Sequence, residues 1–165
     1  MVNNITYHQL VDVFQDFVNR HFQLKGFYTG ELDQIMNQQN LYPLLACIPD
    51  VSTYKKETNV NYNVMEYKFN VFVCDIIKSD QINQIEVLSD CMQICQDLMS
   101  ELDNVDFYRD NNIDVEYDIQ MTPFIERFDD MTGGWNMNIT IIAPVRSRPC
   151  MNPVSTKENN IIISE

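Results

Sequence analysis

The sequence predicts an α+β domain: a mostly antiparallel sheet of about four to five strands with two amphipathic helices packed on one face. Three observations lead there. Two segments repeat apolar residues at three- and four-residue steps, several others alternate apolar and polar residues at a step of two, and 165 residues is the length of one ordinary domain. Residues 1–150 are assigned to that domain and 151–165 to an extended tail.

The first helix begins at a capping box, with Thr6 and Gln9 three residues apart and Ile5 and Leu10 placed as a hydrophobic staple. Leu10, Phe14, Phe17, His21 and Leu24 form its stripe, Val11 and Val18 widen it, and Gly26 is expected to stop it. Residues 27–40 have no clear period and read as loop. A short apolar strand follows over Leu41–Ile48, closed by Pro49-Asp50, and the polar stretch Ser52–Asn61 reads as an exposed loop.

Tyr62–Ile77 is a long strand. Met65, Tyr67, Phe69, Val71 and Val73 share one face, while the other passes from Glu66, Lys68 and Asn70 to Phe72, Cys74 and Ile76. A face that turns apolar halfway is expected to enter a covered region or to meet a second subunit. Ser79 and Asp80 are candidate caps for a second helix with the stripe Ile85, Leu88, Met92, Cys95, Leu98 and Leu102, flanked by Cys91 and Met99. Beyond a charged connection, Ile113, Val115, Tyr117 and Ile119 alternate with Asp114, Glu116 and Asp118, a half-exposed strand with an acidic outer face. Met121–Phe128 and Trp135–Ala143 then form a hairpin, its turn running through Asp129, Asp130 and Gly133-Gly134, with Pro123 marking a bulge or an edge.

Charge and cysteine content narrow the function. A net charge of −13 disfavours gripping nucleic acid, and the paired Arg146 and Arg148 are too few to reverse it. Five scattered cysteines do not suggest a disulfide framework and fit a reducing compartment. Residues 1–20 lack the pattern of a leader, and no window approaches a membrane span, so a soluble protein with no membrane partner is expected.

No nucleophile elbow or phosphate-cradling glycine loop is present, and no cofactor is expected. His8 and His21 are more than three helical turns apart; His21 belongs to the apolar stripe. Cys91 and Cys95 stand one turn apart on the buried side of their helix, where free cysteine behaves as a small hydrophobe. Glu126, Asp129 and Asp130, with the acidic strand, are the raw material of a small magnesium nuclease, but the hairpin lacks the lysine that such chemistry usually requires. The reading is therefore not an enzyme, with the nuclease as its alternative. The tail is not periodic, yet it carries Ile161, Ile162 and Ile163, which either add as a strand to a neighbouring subunit or tuck against their own domain.

A set of short motifs recurs in order along the chain: Tyr42-Pro43, the aromatic strand through Tyr67 and Phe69 to Asp75, Glu86-Val87-Leu88-Ser89-Asp90 with Gln93-Ile94, Pro123-Phe124, Glu126-Arg127-Phe128-Asp129-Asp130, Gly134-Trp135, and Pro144, Arg148, Cys150 and Pro153. In these the sequence resembles the small tail-completion, tail-terminator and head-to-tail joining proteins of tailed bacteriophages, including those of phages of Bacteroides-like hosts and the crAss-like group. The resemblance covers most of Ile5–Pro153 and departs after it.

It implies a structural virion protein of the neck or tail, assembled in the host bacterial cytoplasm, that closes with copies of itself into a six-fold or twelve-fold ring. Its other partners would be portal, neck or tail proteins, with DNA passing through and not bound specifically. Phe27, Tyr28, Tyr54, Phe72, Trp135 and the isoleucines of the tail are the candidate subunit contacts, the alternative for the aromatic residues being simple core membership, strongest for Phe72 and Trp135. Asp114, Glu116 and Asp118 are expected to line the lumen, where like charge keeps DNA from sticking.

Overall fold

The computed structural model describes residues 4–30, 41–56, 63–116, 118–127 and 131–145. Helix α1, Tyr7–Arg20, starts at the expected box: the Thr6 hydroxyl accepts from the Gln9 amide at 3.3 Å, and the Gln9 side chain accepts from the Thr6 amide at 2.9 Å. Leu10, Val11, Phe14, Phe17 and Val18 are its buried stripe. The helix ends at Arg20, six residues before Gly26, because His21 turns to an extended conformation and its amide donates to the Phe17 carbonyl. Arg20 and His21 reach across to Glu101 and Asp97. Gly26 instead opens a strand, β1 (Gly26–Tyr28), where the lack of a clear period from residue 27 on suggests loop. A Cβ on Gly26 would stand 2.4 Å from that of Leu41, so the close approach of these segments requires glycine.

Six more strands join β1: β2 (Leu44–Pro49), β3 (Thr53–Lys55), β4 (Asn63–Ile77), β5 (Asp114–Val115), β6 (Met121–Arg127) and β7 (Met131–Val145). All seven form one mixed sheet, larger than expected, in which only the β1–β2 pair is parallel. Its spine is the antiparallel pair β4–β7, matched over 15 residues from Asn63↔Val145 to Ile77↔Met131. Since β7 occupies one full edge of β4, β2 and β3 share the other. In the same way β5 and β6 share the free edge of β7.

The register shows why seven strands occupy five lanes. From Pro49↔Phe69 to Thr53↔Glu66 the β2–β3 lane advances four residues against three on β4, a one-residue bulge. From Val115↔Ile141 to Met121↔Met137 the β5–β6 lane advances six against four on β7. The expected strand Ile113–Ile119 is therefore cut to Asp114–Val115. Its alternation survives as burial, with Ile113 and Val115 buried and Asp114 and Glu116 exposed, but surplus residues break the ladder.

Gly133 and Gly134 lie inside β7, paired with Ile125 and Phe124 of β6, and not in a turn. Neither glycine has a positive φ; both are there for space. A Cβ on Gly134 would lie 1.9 Å from the Val73 carbonyl oxygen. Phe124, opposite Gly134, lies edge-on to Phe72 with ring centroids 5.8 Å apart, so an aromatic pair covers the gap. Pro123 is exposed on β6, an outer strand, where its missing amide is tolerated.

Helix α2, Gln84–Asn104, begins after Asn83, later than Ser79-Asp80 suggested. Asp80 is used in the preceding turn, accepting from the Ile82 amide. Asn83 ties strand to helix by accepting from the Lys78 amide and donating to the Ile76 carbonyl. The stripe is also rotated at its start: Val87, Cys91, Ile94, Cys95, Leu98 and Leu102 are buried, whereas Ile85 is 81% exposed. A short helix α3, Asp106–Asn111, fills the connection and ends at Asn112 in the left-handed conformation that asparagine tolerates. Helices α1 and α2 bury their stripes on one face of the sheet, against Leu45, Cys47, Phe69, Val71, Val73, Met137, Ile139 and Ile141, with Phe14 against Phe69 at 5.4 Å. No helix among the described residues is long and apolar enough to cross a membrane.

Candidate functional site

The register sorts the helix-free face into two ends. Around β2, β4 and β6 it is apolar: Tyr42, Leu44, Ala46 and Cys74 are buried, with Phe72, Ile76, Ile48 and Phe124 packed around them. Toward β3 and β5 it becomes polar, where Glu66 is bridged by Lys55 and Asp114 pairs in register with Ile142. The long strand thus does enter a covered region at the point where its outer face turns apolar. Among the described residues the sheet ends in two unlike lateral edges, β1 and β3 on one side and β5 and β6 on the other.

Of the expected contact residues, Phe27 and Trp135 are half-buried against the main core. The Trp135 indole donates to the Leu88 carbonyl at 2.8 Å. Tyr28 and Phe72 pack on the smaller apolar cluster. Tyr54, on β3, projects freely at 55% exposure. Ile161, Ile162 and Ile163 lie outside the described residues, as do Arg146, Arg148 and Cys150. Asp114, Glu116 and Asp118 are all exposed, Asp114 on the edge strand β5. Sequence reasoning missed the exposed Phe22, Ile82 and Ile125, and it placed the exposed Ile85 in the core stripe. Only the failure of Phe22 and Ile82 to continue a stripe hints at their exposure.

Glu126 and Asp114 do not converge. Glu126 pairs with Thr132 and Asp114 with Ile142, ten residues apart on the same edge of β7. At ~3.3 Å per residue that is about 33 Å, far beyond the span of one metal site. Asp129 and Asp130 lie outside the described residues. Among the described residues no three His, Cys, Asp or Glu side chains group as metal ligands would. His8 sits near Asp12 on the surface of α1, and His21 near Asp97, with only its own ring half-sheltered.

Cys47, Cys74, Cys91 and Cys95 are free and buried. Burial raises all four thiols, those of Cys74 and Cys95 to about 12, so none is a thiolate nucleophile at neutral pH.

One cavity of about 240 Å³ opens where the end of α2, α3 and β5 meet. Its lining mixes apolar Leu102, Tyr108, Ile113 and Val115 with charged Asp103, Arg109 and Asp114; Arg109 is held by Asp106. Tyr108 is almost fully buried and its hydroxyl has no hydrogen-bond partner; burial raises its pKa, and the nearby Cys47 adds to the rise. No protein-family model matches the chain, and no curated protein matches it in sequence.

Proposed function

We propose that this chain is a structural subunit of the neck or tail of a tailed bacteriophage, closing with copies of itself into a ring through which DNA passes. The observation that carries the reading beyond its motif resemblance is the sheet with two different lateral edges. A closed ring of identical subunits needs a heterologous contact, one surface of each copy meeting a different surface of the next. An α+β sheet flanked by β1–β3 on one side and β5–β6 on the other supplies two such surfaces on one rigid body.

The chemistry of the chain agrees with a structural role. Its described buried thiols are held protonated, and Asp114 and Glu126 pair ten residues apart on β7. Glu116 and Asp118, exposed beyond the β5 ladder, give the ring acidic charge suited to a lumen from which DNA must slide free, whereas Asp114, held in β5, belongs to the edge. Imaging of intact particles, together with the mass of the purified chain, tests the reading. The expected result is a ring of roughly six to twelve copies between portal and tail or at the tail end. A chain that is absent from such particles and monomeric when purified would sink it.

A further inference from the structure

Among the described residues, one apolar shoulder of the molecule is left without a cover. On α2, Val87, Cys91 and Ile94 are buried on the sheet, while Asp97 and Glu101 meet His21 and Arg20 of α1. At 3.6 residues per turn, Ile85, Leu88 and Met92 fall on the side of α2 away from α1. Ile85 is 81% exposed, and Leu88 and Met92 are only half-buried. The Trp135 indole, donating to the Leu88 carbonyl, sets this part of the helix level with the Trp135–Pro123 pair.

Strand β6 lies beside that shoulder. Side chains alternate across a sheet, so Met121 and Ile125, opposite Met137 and Gly133, share the helix-bearing face with Trp135, and Thr122, Phe124 and Glu126 fall on the other. Ile125 is 40% exposed. On its outer side β6 pairs with no strand among the described residues. A seven-residue edge strand bordered by exposed isoleucines is a template for another strand. Pro123 has no amide to offer, so a continuous ladder is left only beyond it, where a short segment fits.

Resting on the ring reading, we propose that Ile161–Ile163 of one copy add as a short strand along β6 of the next, with Ile161 and Ile163 on the helix-bearing side against Ile85, Leu88 and Ile125. A strand added to an edge gains main-chain hydrogen bonds, and its alternate side chains fill the surface beside it. Two of the three isoleucines then reach the more apolar face of β6, and Ile162 lies beside Phe124 on the other. The place where the tail leaves the domain favours a second copy over its own. β7 ends at Val145, eleven residues beyond Gly134, the partner of Phe124. At ~3.3 Å per residue that is about 36 Å. Residues 146–160 span at most about 50–54 Å, so a tail returning to its own shoulder must double back and stay extended past β5. A neighbour set beyond Val145 is met without reversal. Each copy then donates one tail and accepts another, the head-to-tail contact that a ring requires.

Sedimentation velocity of the full chain tests the contact. Ile161→Ser with Ile163→Ser disables the donor, and Ile85→Ser with Ile125→Ser disables the acceptor; neither changes charge. Ile85 and Ile125 are exposed, so the acceptor variant keeps the fold, as circular dichroism checks. Each double variant is expected to weaken self-association at least about tenfold. Mixed in equal amounts the two form a heterodimer, because the intact shoulder of one takes the intact tail of the other, and the assembly stops there. Wild-type rings with both variants assembling equally well overturn the tail contact while the ring reading stands, whether the chain's own tail covers the shoulder or nothing does. Impaired variants that do not pair on mixing refute the match of tail with β6. A wild-type chain that stays monomeric overturns the contact and leaves the ring reading to the images of particles.

Discussion

Replacing Gly134 by alanine perturbs the spine of the sheet at its tightest point. Gly134 stands between Cys74 on β4 and Phe124 on β6. A Cβ there would lie 1.9 Å from the Val73 carbonyl oxygen and 2.7 Å from the Cys74 Cα. Both obstacles are backbone, so no side-chain rotation relieves the overlap. Overpacking a core costs about 1–3 kcal/mol, and a clash with backbone falls at the upper end. Alanine's entropic advantage over glycine, about 0.5–1 kcal/mol, offsets part of it, leaving a loss of about 2 kcal/mol or more. At roughly 2–4 °C per kcal/mol for a chain of this size, the thermal midpoint falls by about 4–8 °C. Urea and thermal unfolding followed by circular dichroism measure this. Gly30→Ala serves as the control: it is exposed and meets only the far end of the Tyr28 ring, so a change under about 0.5 kcal/mol is expected. If Gly134→Ala is as stable as the parent, the close β4–β7 approach is wrong, and the two glycines belong in the turn where sequence alone would put them.

Four other outcomes are expected. Tyr108→Phe removes a buried hydroxyl without a partner and should leave stability unchanged or raise it by up to about 1 kcal/mol, whereas a loss above that would show that the hydroxyl is bonded. Thr6→Ala removes half of the capping box and should cost about 1 kcal/mol in urea unfolding, with Thr6→Ser close to neutral. The buried thiols have folded pKa values above the ordinary thiol value of 9.0, so the unfolded chain releases those protons first. Stability is therefore whole below pH 9 and falls above it, by about 1.4 kcal/mol per pH unit for each thiol until its folded pKa is reached; a flat profile from pH 8 to 10.5 contradicts the burial. Glu116→Gln with Asp118→Asn should leave rings intact and slow DNA ejection from particles, and unchanged ejection counts against an acidic lumen.

The parts of the fold legible in the sequence are those that periodicity controls. The capping box at Thr6, the stripe from Leu10 to Val18 and the alternation through β4 were all readable because local pattern and tertiary burial agree there. The parts that were not legible depend on a neighbour. β1 and β3 are three residues each, too short to show a period, and exist because β2 and β4 offer them partners. The acidic segment shows a perfect alternation over seven residues yet keeps a two-residue ladder, since the surplus residues before Met121 are invisible until β7 sets the register. The rotation at the start of α2 has the same origin. Val87 and Ile85 are equally apolar, and only the direction of β4 and β7 beneath the helix decides which of them is covered.

The same dependence on register governs how the acidic edge should be understood. In sequence, Asp114, Glu116 and Asp118 are equivalent members of one ladder, and a single role for all three is the natural reading. The fold separates them. Asp114 is held in β5 opposite Ile142 and forms part of the rim of a cavity, while Glu116 is past the ladder, its amide donating to the Thr140 carbonyl. A carboxylate fixed in the ladder is held at one position on the edge, whereas carboxylates beyond the ladder contribute mainly field. Field is screened as the Debye length falls from about 10 Å at 0.1 M to about 3 Å at 1 M salt. Repulsion of DNA by Glu116 and Asp118 should therefore weaken over that range, and the loss should be felt in ejection and not in assembly.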